Sequence, residues 1–467
     1  MLSEARRFLL AAGLVLLALT ASYLPDLGHG FIRDDFAWII GSHVEGVRGW
    51  LGLFSRDNGF YRPLVSASFA LNERLCGLDP FWYAFTNFLL VVACGVAVYV
   101  LARSMGMSAG SALIAASIWA LNPHGIGGAI LWISGRTSLL LTLFAVLAGI
   151  AVLRGWTVIA AILALAALLS KEEAVLLPAS LLALAVARSA ATGRSMVDHR
   201  RIAVLAVTLG LSLIVYFALR ARTAAYLPQS APSFYRPIFE PAAIARNVLE
   251  YADRSSTLAL VVVVLSFLVV RRWPALQAGE RWWMGATAAW LICGFGLTVF
   301  LPVRSSLYAP FPSVGSALIA AILIAAMVRK STPVQQRWLF GLAIVAVLGL
   351  VPLHRSRNVR LRKTAEFSTN VLDDVSGTTL ALAAGRTLVL HDAVGIRYNL
   401  EKTFGTLIQD AVRLRTGVPS ARVWVDPPPQ GWEGSGLQPP AGEQAVHYWL
   451  RDGRLIPDQA VSTPSGR

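Results

Sequence analysis

Apolar residues fall along this chain in blocks of roughly 16 to 22, the length that spans a bilayer. Blocks near 8–24, 85–102, 110–122, 137–153, 156–169, 174–187, 202–219, 257–270, 284–301, 313–328 and 338–353 predict eleven transmembrane helices. Beyond residue 353 the pattern changes. Thr387-Leu388-Val389-Leu390 predicts a buried strand ending at His391-Asp392. From Ile396 to Arg415, Leu400, Phe404, Leu407, Ile408 and Leu414 recur at helical spacing. Arg422 to Val425 predicts a second strand, stopped by Pro427-Pro428-Pro429. Ala445 to Leu450 and Leu455-Ile456 flank Asp452-Gly453 as a hairpin. The fold class is therefore an all-α polytopic membrane protein over 1–353, followed by a small α/β domain over 354–467. Val461 to Arg467 reads as a flexible tail.

Composition agrees with the pattern. The chain is 56% hydrophobic and only 14% charged, with mean hydropathy +0.60, whereas soluble domains carry about 25% charged residues. The first block follows Arg6 and Arg7 as a signal peptide would, but no small-x-small cleavage site precedes Pro25, so it reads as a retained helix. Cys76, Cys94 and Cys293 have no motif spacing, so neither a disulfide framework nor a thiolate metal site is implied.

A net charge of +15 raises a nucleic-acid partner, but the placement of the charge argues otherwise. With the N-terminus cytoplasmic, the inner segments collect Arg6, Arg7, Arg103, Arg154, Arg188, Arg194, Arg200, Arg201, Arg271, Arg272, Arg281, Arg329, Lys330 and Arg337 against Glu4, Asp198 and Glu280. That bias is the positive-inside rule, and it places the C-terminal domain outside. The same orientation puts the polar segments 25–84, Asn122 to Arg136, Ser170 to Glu173, 220–256 and Arg304 to Pro312 on the outer face. Convergence of charged segments on one side is what a single active site needs. The Ala-, Leu- and Arg-rich composition suits a bacterial inner membrane with the outer face in the periplasm.

Within the first outer segment stands Arg33-Asp34-Asp35, with Tyr61-Arg62-Pro63-Leu64 downstream. Ionised groups at a membrane surface are costly unless paired, solvated or chemically useful. An acidic pair and cations in one loop suggest an enzyme that handles a lipid-linked anion. The competing structural reading is an Asp-Asp cap on a surface helix over Phe36 to Ile40.

The outer segments resemble the GT-C superfamily of glycosyltransferases, most closely the membrane part of the O-mannosyltransferases that carry transmembrane helices and tetratricopeptide repeats. The matching stretches are Asp34-Asp35, Tyr61 to Leu64 with Asn72, Pro80 with Asn87, Asn122-Pro123 and Trp132-Ile133-Ser134-Gly135-Arg136. They continue through Leu168 to Glu172, Leu177-Pro178, and Arg304 with Leu307-Tyr308 and Pro312-Ser313. Departures are Gly125 to Gly128 and Thr137-Ser138, where the family has acidic residues, and the α/β domain in place of the repeats.

The resemblance implies a GT-C-like fold and transfer of a sugar from a polyprenyl-phosphate donor to a protein hydroxyl or a cell-envelope glycan or lipid. A lipid-linked sugar flippase is the alternative. An alcohol needs a base to take its proton; Asp34 fills that role by its match, with Asp35 orienting it or binding sugar. A cation must stabilise the leaving phosphate. Arg304 leads by its match, followed by Arg136 and Lys171, then Arg62. Glu172 matches the family's Ser-Lys-Glu stretch as an acceptor contact or partner of an Arg. His124 and Trp132 are the remaining acceptor or sugar contacts, against structural readings as a lone histidine and an interfacial tryptophan. No metal ligand set is assigned; a divalent cation stays open as cofactor, since one Asp pair holds too few ligands to require it.

Overall fold

A computed structural model describes residues 4–56, 59–191, 199–227, 230–393, 395–429 and 444–458. Of the residues named above, Arg194, Asp198 and Val461 to Arg467 lie outside these. The chain is mainly helical. The first helix, α1 (Glu4–Tyr23), is followed by a long loop with three helices, α2 (Asp35–Ser42), α3 (Gly46–Gly52) and α4 (Pro63–Cys76). Then come α5 (Pro80–Ser104), α6 (Ala109–Ala120), α7 (Ile126–Leu131), α8 (Arg136–Arg154) and α9 (Thr157–Leu168). The bundle continues with α10 (Leu177–Ala191), α11 (His199–Arg220), α12 (Pro241–Val270), α13 (Ala278–Phe295), α14 (Ser313–Val328) and α15 (Pro333–Ser376).

Among the described residues, eight helical segments are long and apolar enough to cross a membrane. They are Phe8–Asp26, Pro80–Ser104, Ile133–Arg154, Glu172–Ala191, His199–Arg220, Pro241–Val270, Ala278–Phe300 and Pro333–Ser376. The apolar helices α6, α9 and α14 are shorter; α6 and α9 have 12 residues each, about 18 Å of rise against about 30 Å of hydrocarbon. This is a helical membrane protein.

Two helices outrun their apolar blocks. α12 begins at Pro241, so the second half of the stretch expected as a loop over 220–256 is helical. α15 runs for 44 residues, through Pro352, to Ser376. The boundary expected at residue 353 therefore falls inside one continuous helix. Its first half packs along α1 and its second half along the C-terminal sheet.

That sheet contains β1 (Thr387–His391), β2 (Arg422–Asp426), β3 (Ala445–Arg451) and β4 (Arg454–Pro457), in the order β2-β1-β3-β4. β1 is parallel to β2 and β3, and β3 pairs antiparallel with β4 across the Asp452-Gly453 turn. The helix expected over Ile396 to Arg415 is two, α17 (Leu400–Phe404) and α18 (Ile408–Thr416), preceded by the short α16 (Thr379–Ala383). The break falls at Gly405, whose φ of +56° lies in the left-handed region that ends helices. The core of this unit joins Leu388, Leu390, Phe404 and Ile408 to Val371 of α15 and to Phe36 of α2. The segment between α1 and α5 and the C-terminal sheet thus share one apolar core.

Candidate functional site

The Arg33-Asp34-Asp35 stretch is held from three directions. Gly30, at φ +104°, passes so close to α15 that a Cβ would meet the Thr369 hydroxyl at 2.5 Å. Arg33 has φ +49°, uncommon for a side chain with a Cβ. Its backbone N–H donates to the Thr403 carbonyl (3.1 Å) and its Nε to the Lys402 carbonyl (3.0 Å). The guanidinium lies 5.6 Å from the centre of the Trp132 ring. The C-terminal unit therefore clamps the residue before Asp34 in a conformation the chain would otherwise avoid.

Asp35 is fully buried. Its carboxylate accepts from the N–H of Ile32 (2.9 Å) and the N–H of Ser134 (2.7 Å), and also from the Ser134 hydroxyl. Burial pushes its pKa up to about 7, against these donors. A group so enclosed cannot touch a sugar, so of its two expected roles only positioning remains.

Asp34 differs in every respect. It sits at the N-cap of α2 with helical backbone angles and no side-chain capping bond, which removes the capping explanation for its carboxylate. The residue is exposed, yet burial raises its pKa, against the pull of Arg33 and Arg62. Open to solvent but crowded by protein, the carboxylate stands in a recess. Among the described residues, no hydrogen bond or ion pair joins its side chain to another residue.

Arg62, at the start of α4, makes a fork to Glu172 through Nε (2.8 Å) and Nη2 (2.5 Å). Its guanidinium is 4.2 Å from the Phe60 ring centre. Burial disfavours its charge, but Glu172 outweighs this and holds its pKa above the ordinary value. Tyr235, from the outer segment between α11 and α12, packs edge-on against Phe60 at 5.1 Å. Burial lifts its phenol to about 12, with Arg62 opposing and Asp34 adding to the rise. Beneath this pair, Lys171 bridges to Glu173 at 2.6 Å and donates to the Ser138 hydroxyl at 2.9 Å. The structure thus gathers Arg33, Asp34, Arg62, Trp132, Glu172 and Tyr235 into one cluster.

Several expected anion ligands are not free. Arg136 is completely buried. It donates to Asn87 Oδ1 (2.8 Å), the Ser68 carbonyl (3.0 Å) and the Tyr83 carbonyl (2.9 Å), with Phe69 under its plane. It fastens α4, α5 and α8 together and cannot reach a phosphate. Lys171 is also buried and committed to Glu173. Both assignments to phosphate are corrected by burial.

Arg304 is exposed but ion-paired with Glu250 of α12, which also holds Arg254 at 3.0 Å. No interaction joins Arg304 to Asp34. His124 lies with this second group: Arg357 of α15 approaches its Nδ1 at 3.3 Å. Burial and then Arg357 push the imidazole's pKa down. It is placed against cations rather than in the cluster around Asp34.

Three features escaped the sequence reading. Tyr235 lay in a loop without periodicity. The C-terminal unit's grip on Arg33 joins residues about 370 apart. The third was legible: Arg355, Arg357, Arg360, Arg362 and Lys363 follow the last apolar block within nine residues. Arg360 stands near Arg33, whose pKa falls through burial first and then, against the pull of Asp34, through repulsion from Arg360.

Both Asp35 oxygens are occupied, Glu172 and Glu173 are paired with cations, and no metal-holding group of three or more His, Cys, Asp or Glu occurs among the described residues. Compared by sequence, the chain matches no protein-family model and no curated protein.

Proposed function

We propose that this protein is a glycosyltransferase moving a sugar from a polyprenyl-phosphate donor to a hydroxyl of a protein or cell-envelope acceptor. On this reading the chain crosses the membrane eleven times in a GT-C-like arrangement, with the short α6, α9 and α14 counted as crossings. The N-terminus is cytoplasmic and the sheet lies on the outer, periplasmic side of a bacterial inner membrane. The observation that carries the proposal is the state of Asp34: an exposed carboxylate in a recess, with raised proton affinity and no bonded partner among the described residues. Structural carboxylates at such depth are tied up, as Asp35 is.

In the proposed step the acceptor oxygen attacks the anomeric carbon while Asp34 takes the hydroxyl proton. The bond between that carbon and the phosphate oxygen breaks, and its electron pair leaves on the phosphate. A raised pKa makes the ionised Asp34 carboxylate a stronger base. Asp35 and Ser134 fix the backbone beneath it. Tyr235 and Phe60 flank the approach, and Trp132 offers an apolar face.

The test supplies radiolabelled polyprenyl-phosphate sugars to membranes holding wild type or Asp34→Asn and follows label into lipid, glycan and protein. Label transferred by wild type alone supports the reading and identifies the acceptor class. Label that crosses the bilayer chemically unchanged would replace the enzyme with a lipid-sugar flippase.

A further inference from the structure

The five cations from Arg355 to Lys363 run against the charge rule that orients the rest of the chain. On the proposed topology they lie just outside the membrane, directly after the last apolar block. Their distribution round α15 is uneven. His354, Asn358 and Ala365 form the buried face, against α1. Arg362 is on one flank, 3.6 Å from Glu366. Arg357 and Arg360, three residues apart and so on one face, lie on the opposite flank. Both are exposed, and among the described residues neither has a carboxylate partner. Arg357 approaches His124 Nδ1 at 3.3 Å, and Arg360 is near enough to Arg33 to act on its charge.

Like charges brought together without a counterion are costly. Near this flank Asp34 acts on Arg33, while Asp253 and Arg254, the latter paired with Glu250, act on His124. Among the described residues no carboxylate is paired with Arg357 or Arg360. Height is the second observation. Arg357 and Arg360 follow Leu353 by four and seven residues, about 6 and about 10 Å of helix rise, which puts Arg357 within a headgroup layer of about 5–7 Å and Arg360 at its outer edge, within side-chain reach. A guanidinium pair offers phosphate oxygens two planar forks.

We propose that Arg357 and Arg360, with Arg33, hold the phosphate of a polyprenyl-phosphate lipid on the flank of α15. The assignment rests on the glycosyltransferase reading for its choice of lipid, and it moves the phosphate away from Arg304, Arg136 and Lys171. Arg33 joins the phosphate site to its neighbour Asp34, so a sugar attached to that phosphate extends toward the carboxylate.

The test is native mass spectrometry of the full-length protein in detergent, titrated with a polyprenyl monophosphate, the neutral polyprenol, an anionic phospholipid or inorganic phosphate. The expected result is retention of the polyprenyl phosphate, with much weaker retention of the other three. Affinity falls about tenfold or more in Arg357→Gln/Arg360→Gln and is largely restored in Arg357→Lys/Arg360→Lys. Arg355→Gln/Lys363→Gln, which removes the same charge from elsewhere on the helix, binds as wild type. Undiminished binding in Arg357→Gln/Arg360→Gln, or an equal loss in Arg355→Gln/Lys363→Gln, overturns the site. Equal retention of the phospholipid overturns the choice of lipid, and equal retention of inorganic phosphate overturns the lipid requirement. Asp34→Asn separates the two proposals: it should bind normally and not transfer. Specific binding without transfer by wild type defeats the enzyme and leaves the site standing.

Discussion

The cations under the Asp34 loop and those on the flank of α15 are the same residue types in opposite states. Arg136, Lys171 and Arg62 are each matched: Arg136 by three oxygen acceptors, Lys171 by Glu173, and Arg62 by Glu172. Arg357 and Arg360 lie exposed, the first beside His124 and the second near Arg33. A matched buried cation has spent its hydrogen-bonding capacity on the fold. An exposed and unmatched one keeps that capacity for a ligand. The aspartates repeat the contrast one residue apart, Asp35 consumed by Ser134 and Ile32 and Asp34 left open.

The comparison breaks most severely at Arg136. Arg136→Met should leave the Asn87, Ser68 and Tyr83 oxygens without their donor and cost about 3–5 kcal/mol, read as lost folded yield and a lower unfolding temperature in detergent. A soluble, fully stable variant that has lost only activity would mean that Arg136 serves the ligand after all. Asp34→Asn should do the reverse: transfer drops by about a hundredfold or more while the unfolding temperature stays within a degree or two of wild type.

Glu172→Gln sharpens the same contrast from within the cluster. Unmatched, Arg62 becomes an anion site of the second kind. Transfer should fall as the geometry loosens, while apparent donor affinity stays level or tightens. A weakened donor affinity would instead place Glu172 in contact with the substrate.

The last effect expected is in the pH dependence. Asp35 has a folded pKa of about 7, above its unfolded value near 3.9. The folded state therefore holds the proton more tightly, and this contribution to stability is complete below about pH 4. It is lost as pH rises through 7. Unfolding temperature measured from pH 4 to 8 should fall over that window in wild type and show a shallower slope in Asp35→Asn. Asp34, also raised, should place the acidic limb of transfer activity above the ordinary carboxylate range; a limb within that range would argue against it as the base.

The apolar blocks were legible because burial in lipid demands about 20 apolar residues in sequence, a local property. The strand ends were legible for the same reason: Thr387 to Leu390, Arg422 to Val425 and the Asp452-Gly453 turn carry their own signals. Helix lengths were not. α12 and α15 continue past their apolar blocks because polar residues such as Asn247 and Asn358 find partners on neighbouring elements, the Val299 and Ser22 carbonyls. Hydropathy records the solvent a residue prefers, and it is silent on partners brought from far along the chain.

The same division holds for the site. By itself, the sequence determined that this is a helical membrane protein, where its charged segments cluster and which residue types could do chemistry there. It could not distinguish Asp34 from Asp35, or rank Arg136 below Arg62. Those distinctions depend on whether each charge meets a partner. The partners are Ser134, Asn87, Glu172 and the Lys402 and Thr403 carbonyls, between about 50 and 370 residues distant. Only the tertiary structure brings them close enough to neutralise one group and leave its neighbour open, because a charge costs little in water and much in a closed interior until something answers it.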